Sequence, residues 1–188
     1  KHNLDLLKPR IYYILYGAHA SLDHTAKAYK YARDAVKTAQ KAKNYNLLSN
    51  AYSAMSTSMG LLYKENPKPE YVDSILIYLK KSAEVYHKHP NFVSPETYAI
   101  TNINIADYYY QTKGSADSIR KYTEIAKQTS LNRDASSSVK ANADGLLAQL
   151  AIRQGDFNKA EKLLVDAYSD MEKQSSPCLL YTSDAADE

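Results

Sequence analysis

The segment LLAQLAIRQGDFNKAEKLLVDA, Leu146 to Ala167, constrains the fold more than any other stretch of this 188-residue chain. Its first half sets Leu147, Ala148 and Ala151 on one helical face. Gly155 then interrupts the run, and Asp156 is placed to cap a second helix carrying Ala160, Leu164 and Ala167. The unit is a helix, a tight turn and a helix. Such a pair has an apolar face that only another pair can cover, so the fold depends on whether the unit recurs.

It recurs upstream. A large residue followed by a small one appears at Tyr16-Gly17, Met59-Gly60, Ile105-Ala106 and Leu147-Ala148, with the small members 43, 46 and 42 residues apart. The second helices keep the same beat, with Ala28, Ala32 and Ala35, then Ser74 and Tyr78, then Ser118, Tyr122 and Ile125, then Ala160, Leu164 and Ala167. The tripeptide Asp-Ser-Ile itself repeats, at Asp73 to Ile75 and Asp117 to Ile119. The count is four helix pairs. Composition agrees: only 5 glycines and 6 prolines leave too few turn-formers for a sandwich or barrel, and the expected class is all-α.

This pattern resembles the tetratricopeptide repeat over residues 10–174. The fourth unit matches best, whereas the first lacks a turn glycine, the second has KENPKPEY at that place, and the third carries Gly114 one position late. The units exceed the roughly 34 residues of the standard repeat. The excess is expected in helices of about five turns, because NLLSNAYSAMSTSMGLLYKE and DHTAKAYKYARDAVKTAQKAK contain no breaker besides Gly60. Elongated repeats of this kind are similar to those of bacterial signalling proteins, in which the array stands beside a DNA-binding or histidine kinase module.

The resemblance implies a right-handed superhelical solenoid of antiparallel pairs over residues 1–176, with the first (A) helices lining a concave groove and the second (B) helices facing outward. Gly17, Gly60, Ala106 and Ala148 are expected to let the helices of a pair approach closely. Tyr63, Tyr78, Tyr109 and Tyr122 are expected to fill the space between pairs. Of Tyr108, Tyr109 and Tyr110, at least one must be left for the groove, since consecutive helical residues point about 100° apart.

A groove needs A-helix positions that the core does not use. With Ala106 and Ala148 as the core register, these are Asp107, Tyr110 and Gln111 in the third unit and Asn142, Gln149 and Arg153 in the fourth, with Lys64 at the matching place in the second. Amides can pair with the backbone of an extended peptide and tyrosines can cover its side chains, so a peptide or protein segment is the expected partner. The plainer alternative is that these are solvated polar residues. The lysine, arginine and asparagine set with which familiar tetratricopeptide domains clamp a C-terminal carboxylate is not reproduced, so no chaperone-tail clamp is expected. The resemblance leaves two places for such a chain: the sensor or interaction region of a larger bacterial protein, or the regulatory part of a transcription regulator or histidine kinase.

Other chemistries find less support. Ala28, Ala32, Ala35, Ala39 and Ala42 form one stripe, and Lys30, Arg33, Lys37 and Lys41 another on the opposite side. The basic stripe reads as a solvated outer face and not as a nucleic-acid contact, because Asp23 and Asp34 interrupt it and no base-reading residue accompanies it. His19, Asp23 and His24 could share a helix end, and His87 and His89 in HKH bring two imidazoles close, but neither set has a third and fourth ligand at metal-site spacing. No phosphate loop, nucleophile elbow, CxxC or paired-carboxylate motif is present, so neither an enzyme nor a cofactor is expected.

No run approaches the about 18 apolar residues of a membrane span. The compartment stays open between cytoplasm and periplasm. The final CLLYTSDAADE, Cys178 to Glu188, holds the only cysteine and resembles a translated sequencing-library adapter. With no methionine at the start, the expectation is a fragment of a longer protein ending in a non-native, disordered tail at residues 177–188.

Overall fold

A computed structural model of the chain describes residues 2–131 and 137–172, and the expected tail at 177–188 lies outside them. The described residues form eight helices: α1 His2–Ser21, α2 Thr25–Lys41, α3 Tyr45–Glu65, α4 Pro69–Lys88, α5 Pro95–Gln111, α6 Ala116–Leu131, α7 Ser137–Arg153 and α8 Phe157–Glu172. Among them there is no strand. The chain is all-α, and consecutive helices pack as four pairs, α1 with α2, α3 with α4, α5 with α6 and α7 with α8.

Four turns end in one way. Asp23, Lys43, Lys113 and Gly155 take the left-handed conformation, with φ of 55, 52, 53 and 78°. The next N–H reaches back to the carbonyl five residues earlier: His24 to His19 at 2.9 Å, Asn44 to Ala39 at 3.0 Å, Gly114 to Tyr109 at 2.7 Å and Asp156 to Ala151 at 2.9 Å. This Schellman closure satisfies carbonyls that a helix end would otherwise leave unpaired. Only Gly155 fills the position with glycine, and a residue with a Cβ there is strained by roughly 1–2 kcal/mol. The sequence pointed to Gly114 as the turn glycine of the third unit, but Lys113 carries the positive φ. Gly114 is required by space instead, since a Cβ there would lie 2.9 Å from Tyr109 Cδ1 and 3.2 Å from its carbonyl oxygen.

Helix starts follow capping chemistry. The side chains of Asn44, Ser94 and Asp156 each accept the N–H three residues on, from Leu47, Thr97 and Lys159, all at 3.1 Å. Pro69 and Pro95 open α4 and α5, where a missing N–H costs nothing.

The small-residue stripe of α2 behaves as the spacing requires: Ala28, Ala32, Ala35 and Ala39 are fully buried, while Lys30, Arg33, Lys37 and Lys41 are exposed. Ala32 packs with Ala54, Met55 and Met59 of α3, and Ala39 with Leu48 of α3 and Val85 of α4. Ala106 and Ala148 are fully buried as expected. Gly17 and Gly60 do not mark close approaches. A Cβ on Gly17 would meet nothing within 4 Å, and one on Gly60 only Ile75 Cδ1 at 4.0 Å.

Two polar clusters join successive pairs. Ser82 of α4 is a hub: its Oγ lies 2.8 Å from Ser49 Oγ and 3.1 Å from Ser53 Oγ in α3, and 3.0 Å from Thr101 Oγ1 in α5. It also donates to the Ser49 carbonyl at 2.9 Å. Ser49 and Ser82 are fully buried, and such short side chains let the helices approach while every hydroxyl keeps a partner. Between α6 and α7, Lys127 Nζ meets Asp144 Oδ1 at 2.7 Å, with the Asp144 side chain only 3% exposed.

Each second helix packs on the first helix of the next pair, and α1, α3, α5 and α7 touch one another in succession. The second helices α2, α4, α6 and α8 do not touch one another. No described helix is long and apolar enough to cross a membrane.

Candidate functional site

The gap between α3, α4 and α5 forms an open cleft of about 540 Å³. Leu61 of α3 and Val72, Ile75 and Leu79 of α4 supply apolar walls, and Lys64, Asn104, Asp107, Tyr108 and Gln111 supply polar groups. Gly60 explains part of the space. It lines the cleft, and a Cβ there would meet only Ile75 Cδ1, at 4.0 Å, so a larger side chain would project into the opening.

The cleft's electrostatics are sparse and directional. Gln111 Nε2 donates to Asp107 Oδ1 at 3.2 Å, one helical turn away, which leaves the amide oxygen of Gln111 as an acceptor. Burial, reinforced by the Asp73 carboxylate and then by Tyr109, pushes the Tyr108 phenol above its ordinary value, so it remains a hydrogen-bond donor at neutral pH. Lys64 is exposed at the end of α3 and is the only cation lining this cleft among the described residues. One cation, one carboxylate, two amides and two phenols around aliphatic walls can hold a chain with alternating backbone polar groups and apolar side chains.

Of the seven residues the sequence proposed, the structure brings Lys64, Asp107 and Gln111 together in this cleft. Tyr110 and Arg153 form a separate unit: the Arg153 guanidinium lies 3.7 Å from the Tyr110 ring centroid and its Nη2 donates to the Tyr110 carbonyl at 3.0 Å. Arg153 thus caps the last turn of α5 from α7, so these two groups engage each other. Asn142 and Gln149 are exposed on α7, outside the cleft. Tyr108, one of the three consecutive tyrosines, is the one that lines the cleft, and Tyr63, expected between pairs, is 40% exposed and lines it too. Tyr109, half-buried, stacks on Tyr122 with centroids 5.8 Å apart, a contact within the α5–α6 pair and not between pairs.

A second opening of about 480 Å³ lies between α6, α7 and α8, where Leu147, Leu150 and Leu163 are surrounded by Arg120, Lys121, Lys159, Asp117 and Glu124. Arg120 is already engaged, by Asp117 and Gln154 at 3.1 Å each. The sequence assigned these second-helix positions to the outside and did not anticipate this opening.

The histidines separate into three settings. His19 and His24 meet across the first turn, Nδ1 to Nδ1 at 3.1 Å, and His19 stacks on Tyr31 with centroids 5.3 Å apart. Desolvation first, then the charges of Lys27 and His24, hold the His19 imidazole below its ordinary pKa. The two imidazoles of HKH do not come together as expected: His87 Nε2 lies 3.1 Å from the Tyr98 hydroxyl, whereas His89 stacks on Tyr45 at 3.5 Å. Helical residues two apart point to nearly opposite sides, which accounts for the difference. Among the described residues no three His, Cys, Asp or Glu side chains gather as metal ligands would.

Compared with known protein families and with curated proteins, the sequence matches none.

Proposed function

We propose that this chain is a non-catalytic helical repeat scaffold of the tetratricopeptide type that binds an extended peptide or protein segment in the cleft between α3, α4 and α5. The observation that supports this reading is the cleft itself, open at Gly60, with Lys64, Asp107, Tyr108 and Gln111 beside the aliphatic surface of Val72, Ile75 and Leu79. On this reading the touching first helices form the concave side of a right-handed superhelix. Placement as the sensor or interaction region of a larger bacterial protein rests on the resemblance of its elongated repeats alone.

The test exploits Gly60. A leucine there fills the cleft from a helical position that already has room for its Cβ, so the fold survives while the site is lost. Peptides are selected from a random display library on the purified protein, and their affinities are measured by fluorescence anisotropy. Gly60→Leu is expected to weaken the selected peptides at least tenfold, and Lys64→Ala to weaken those that carry a carboxylate, with unchanged helical circular dichroism. Failure to recover any peptide, or equal affinity for Gly60→Leu and the parent, overturns the proposal.

A further inference from the structure

The opening between α6, α7 and α8 lies where the third pair carries aromatic rings. In the register set by Ala106 and Ala148, Leu150 and Ala151 of α7 stand at the places of Tyr108 and Tyr109 of α5. Tyr63 of α3 holds that second place too. Tyr109 meets Tyr108 edge to face and stacks on Tyr122, with centroids 5.7 and 5.8 Å apart. Tyr108 reaches towards α4: after burial, the Asp73 carboxylate is the next cause that pushes its phenol above the ordinary value. The Asp-Ser-Ile repeat sets Asp117 at the place of Asp73, and Asp117 lines the opening with Leu150 and Ala151. Leu150, Ala151 and Leu164 thus stand where the third pair has three tyrosines, and the opening of about 480 Å³ lies beside the first two.

Its floor is apolar and its rim is charged. Leu150 and Ala151 are buried, and Leu147 and Leu163 are half-buried around them. On the rim, Arg120 is taken by Asp117 and Gln154, and Glu124 accepts from the Gln128 amide at 3.0 Å. Lys121 and Lys159 are exposed, and neither ammonium group has an ion-pair or hydrogen-bond acceptor among the described residues. Lys121 Nζ instead lies 5.7 Å from the Tyr122 ring centroid. Lys159 and Leu163 stand at the places of Asp117 and Lys121, which stay exposed although α7 packs on α6, so this edge of α8 is not one that a following helix covers.

We propose that this opening binds a small aromatic carboxylate, with its ring on Leu147, Leu150, Ala151 and Leu163, where the third pair seats tyrosine, and its carboxylate between Lys121 and Lys159. The size suits a small molecule, whose pockets span about 300–1,000 Å³. An aromatic ring restores the packing that Ala151 leaves unmade, and a carboxylate supplies the acceptor that both ammonium groups lack. The site shares no residue with the α3–α4–α5 cleft.

The probe is 4-hydroxyphenylacetate, which reproduces a tyrosine ring with its hydroxyl and adds a carboxylate, titrated into the full chain and followed by saturation-transfer NMR. Saturable binding is expected with a Kd below about 1 mM. Binding of 4-methylphenol, which lacks the charge, and of hexanoate, which lacks the ring, is expected to be at least about fivefold weaker. Ala151→Tyr fills the place from the chain itself and is expected to weaken the probe at least about tenfold. Lys121→Gln and Lys159→Gln, at exposed positions, are each expected to weaken it about three- to fivefold with unchanged circular dichroism. Gly60→Leu, which closes the other cleft, is expected to leave the affinity as it was. No saturable binding up to about 10 mM overturns the proposal. So does equal affinity for hexanoate or 4-methylphenol, or unchanged affinity in both lysine variants. An Ala151→Tyr chain with parental circular dichroism and parental affinity overturns it as well. Loss of affinity in Gly60→Leu does the same, because it places the probe in the α3–α4–α5 cleft.

Discussion

Replacing Lys127 by methionine removes one end of the ion pair between α6 and α7 and keeps most of the side chain's packing. At 2.7 Å and an effective dielectric constant of about 20, the gross attraction is about 6 kcal/mol, and desolvation of the carboxylate offsets much of it. The substitution leaves Asp144, whose side chain is 3% exposed, as a charge with its partner gone. For a fully buried pair that costs about 3–5 kcal/mol. The Lys127 side chain is 24% exposed, so water screens part of the interaction and the expected loss falls to about 2–3 kcal/mol. For a chain of this length that lowers the melting temperature by about 5–10 °C. Lys127→Met with Asp144→Leu should recover most of it, because an apolar pair carries no desolvation cost. Stacked pairs need not unfold in one step, so urea titration is combined with amide hydrogen exchange, which should show earlier opening of α6 to α8 than of α1 to α4. A Lys127→Met variant within about 0.5 kcal/mol of the parent, or a double variant no better than the single one, would refute the reasoning.

Gly114→Ala should cost about 1–3 kcal/mol in urea titration, because the new methyl meets Tyr109 Cδ1 at 2.9 Å and a backbone oxygen that cannot move aside. Lys113→Gly, one residue earlier, should instead stabilise by up to about 1 kcal/mol by relieving a φ of 53°. Ser82→Ala should cost about 1–2 kcal/mol, since it leaves Ser53 and Thr101 each one partner short, and amide exchange should quicken where α4 meets α5. His19 has a folded pKa below its unfolded one, so the unfolded chain binds the extra proton first. The stability it contributes is present above pH 6.5 and is lost as pH falls from there through the lowered folded value. The melting temperature of the parent should therefore fall more between pH 7.5 and 5 than that of His19→Gln, and parallel profiles would contradict this.

The features legible in the sequence are those that a single helix or turn specifies by itself. Alanines at 28, 32, 35 and 39 spell out one face, and Gly155 followed by Asp156 spells out a stop and a start, so the four helix pairs can be counted from the sequence. Left-handed turns at Asp23, Lys43 and Lys113 were not legible because the geometry of the Schellman closure, and not glycine, imposes the backbone there. The hub at Ser82 and the Lys127–Asp144 pair escaped for another reason. Serines and acids read as surface until the helix that covers them is placed. The site divides along the same line. The Ala106 register put Asp107 and Gln111 on the face of α5 that lines the cleft, whereas the meeting of Tyr110 with Arg153 depends on how one pair sits on the next, which no local spacing encodes.

That first helices touch in succession while second helices do not touch one another means that every joint between pairs is made by the next first helix. The first helices α1, α3, α5 and α7 form one row of contacts, and α2, α4 and α6 are each tied to that row through the first helix of the next pair, so a tilt at any joint strains both sets of contacts. Two joints are further braced by polar groups that cross them, Ser82 to Thr101 between α4 and α5 and Lys127 to Asp144 between α6 and α7. The α3–α4–α5 cleft lies across one of these joints, so its width is set by how α5 sits on the α3–α4 pair, which the Ser82–Thr101 link holds in place.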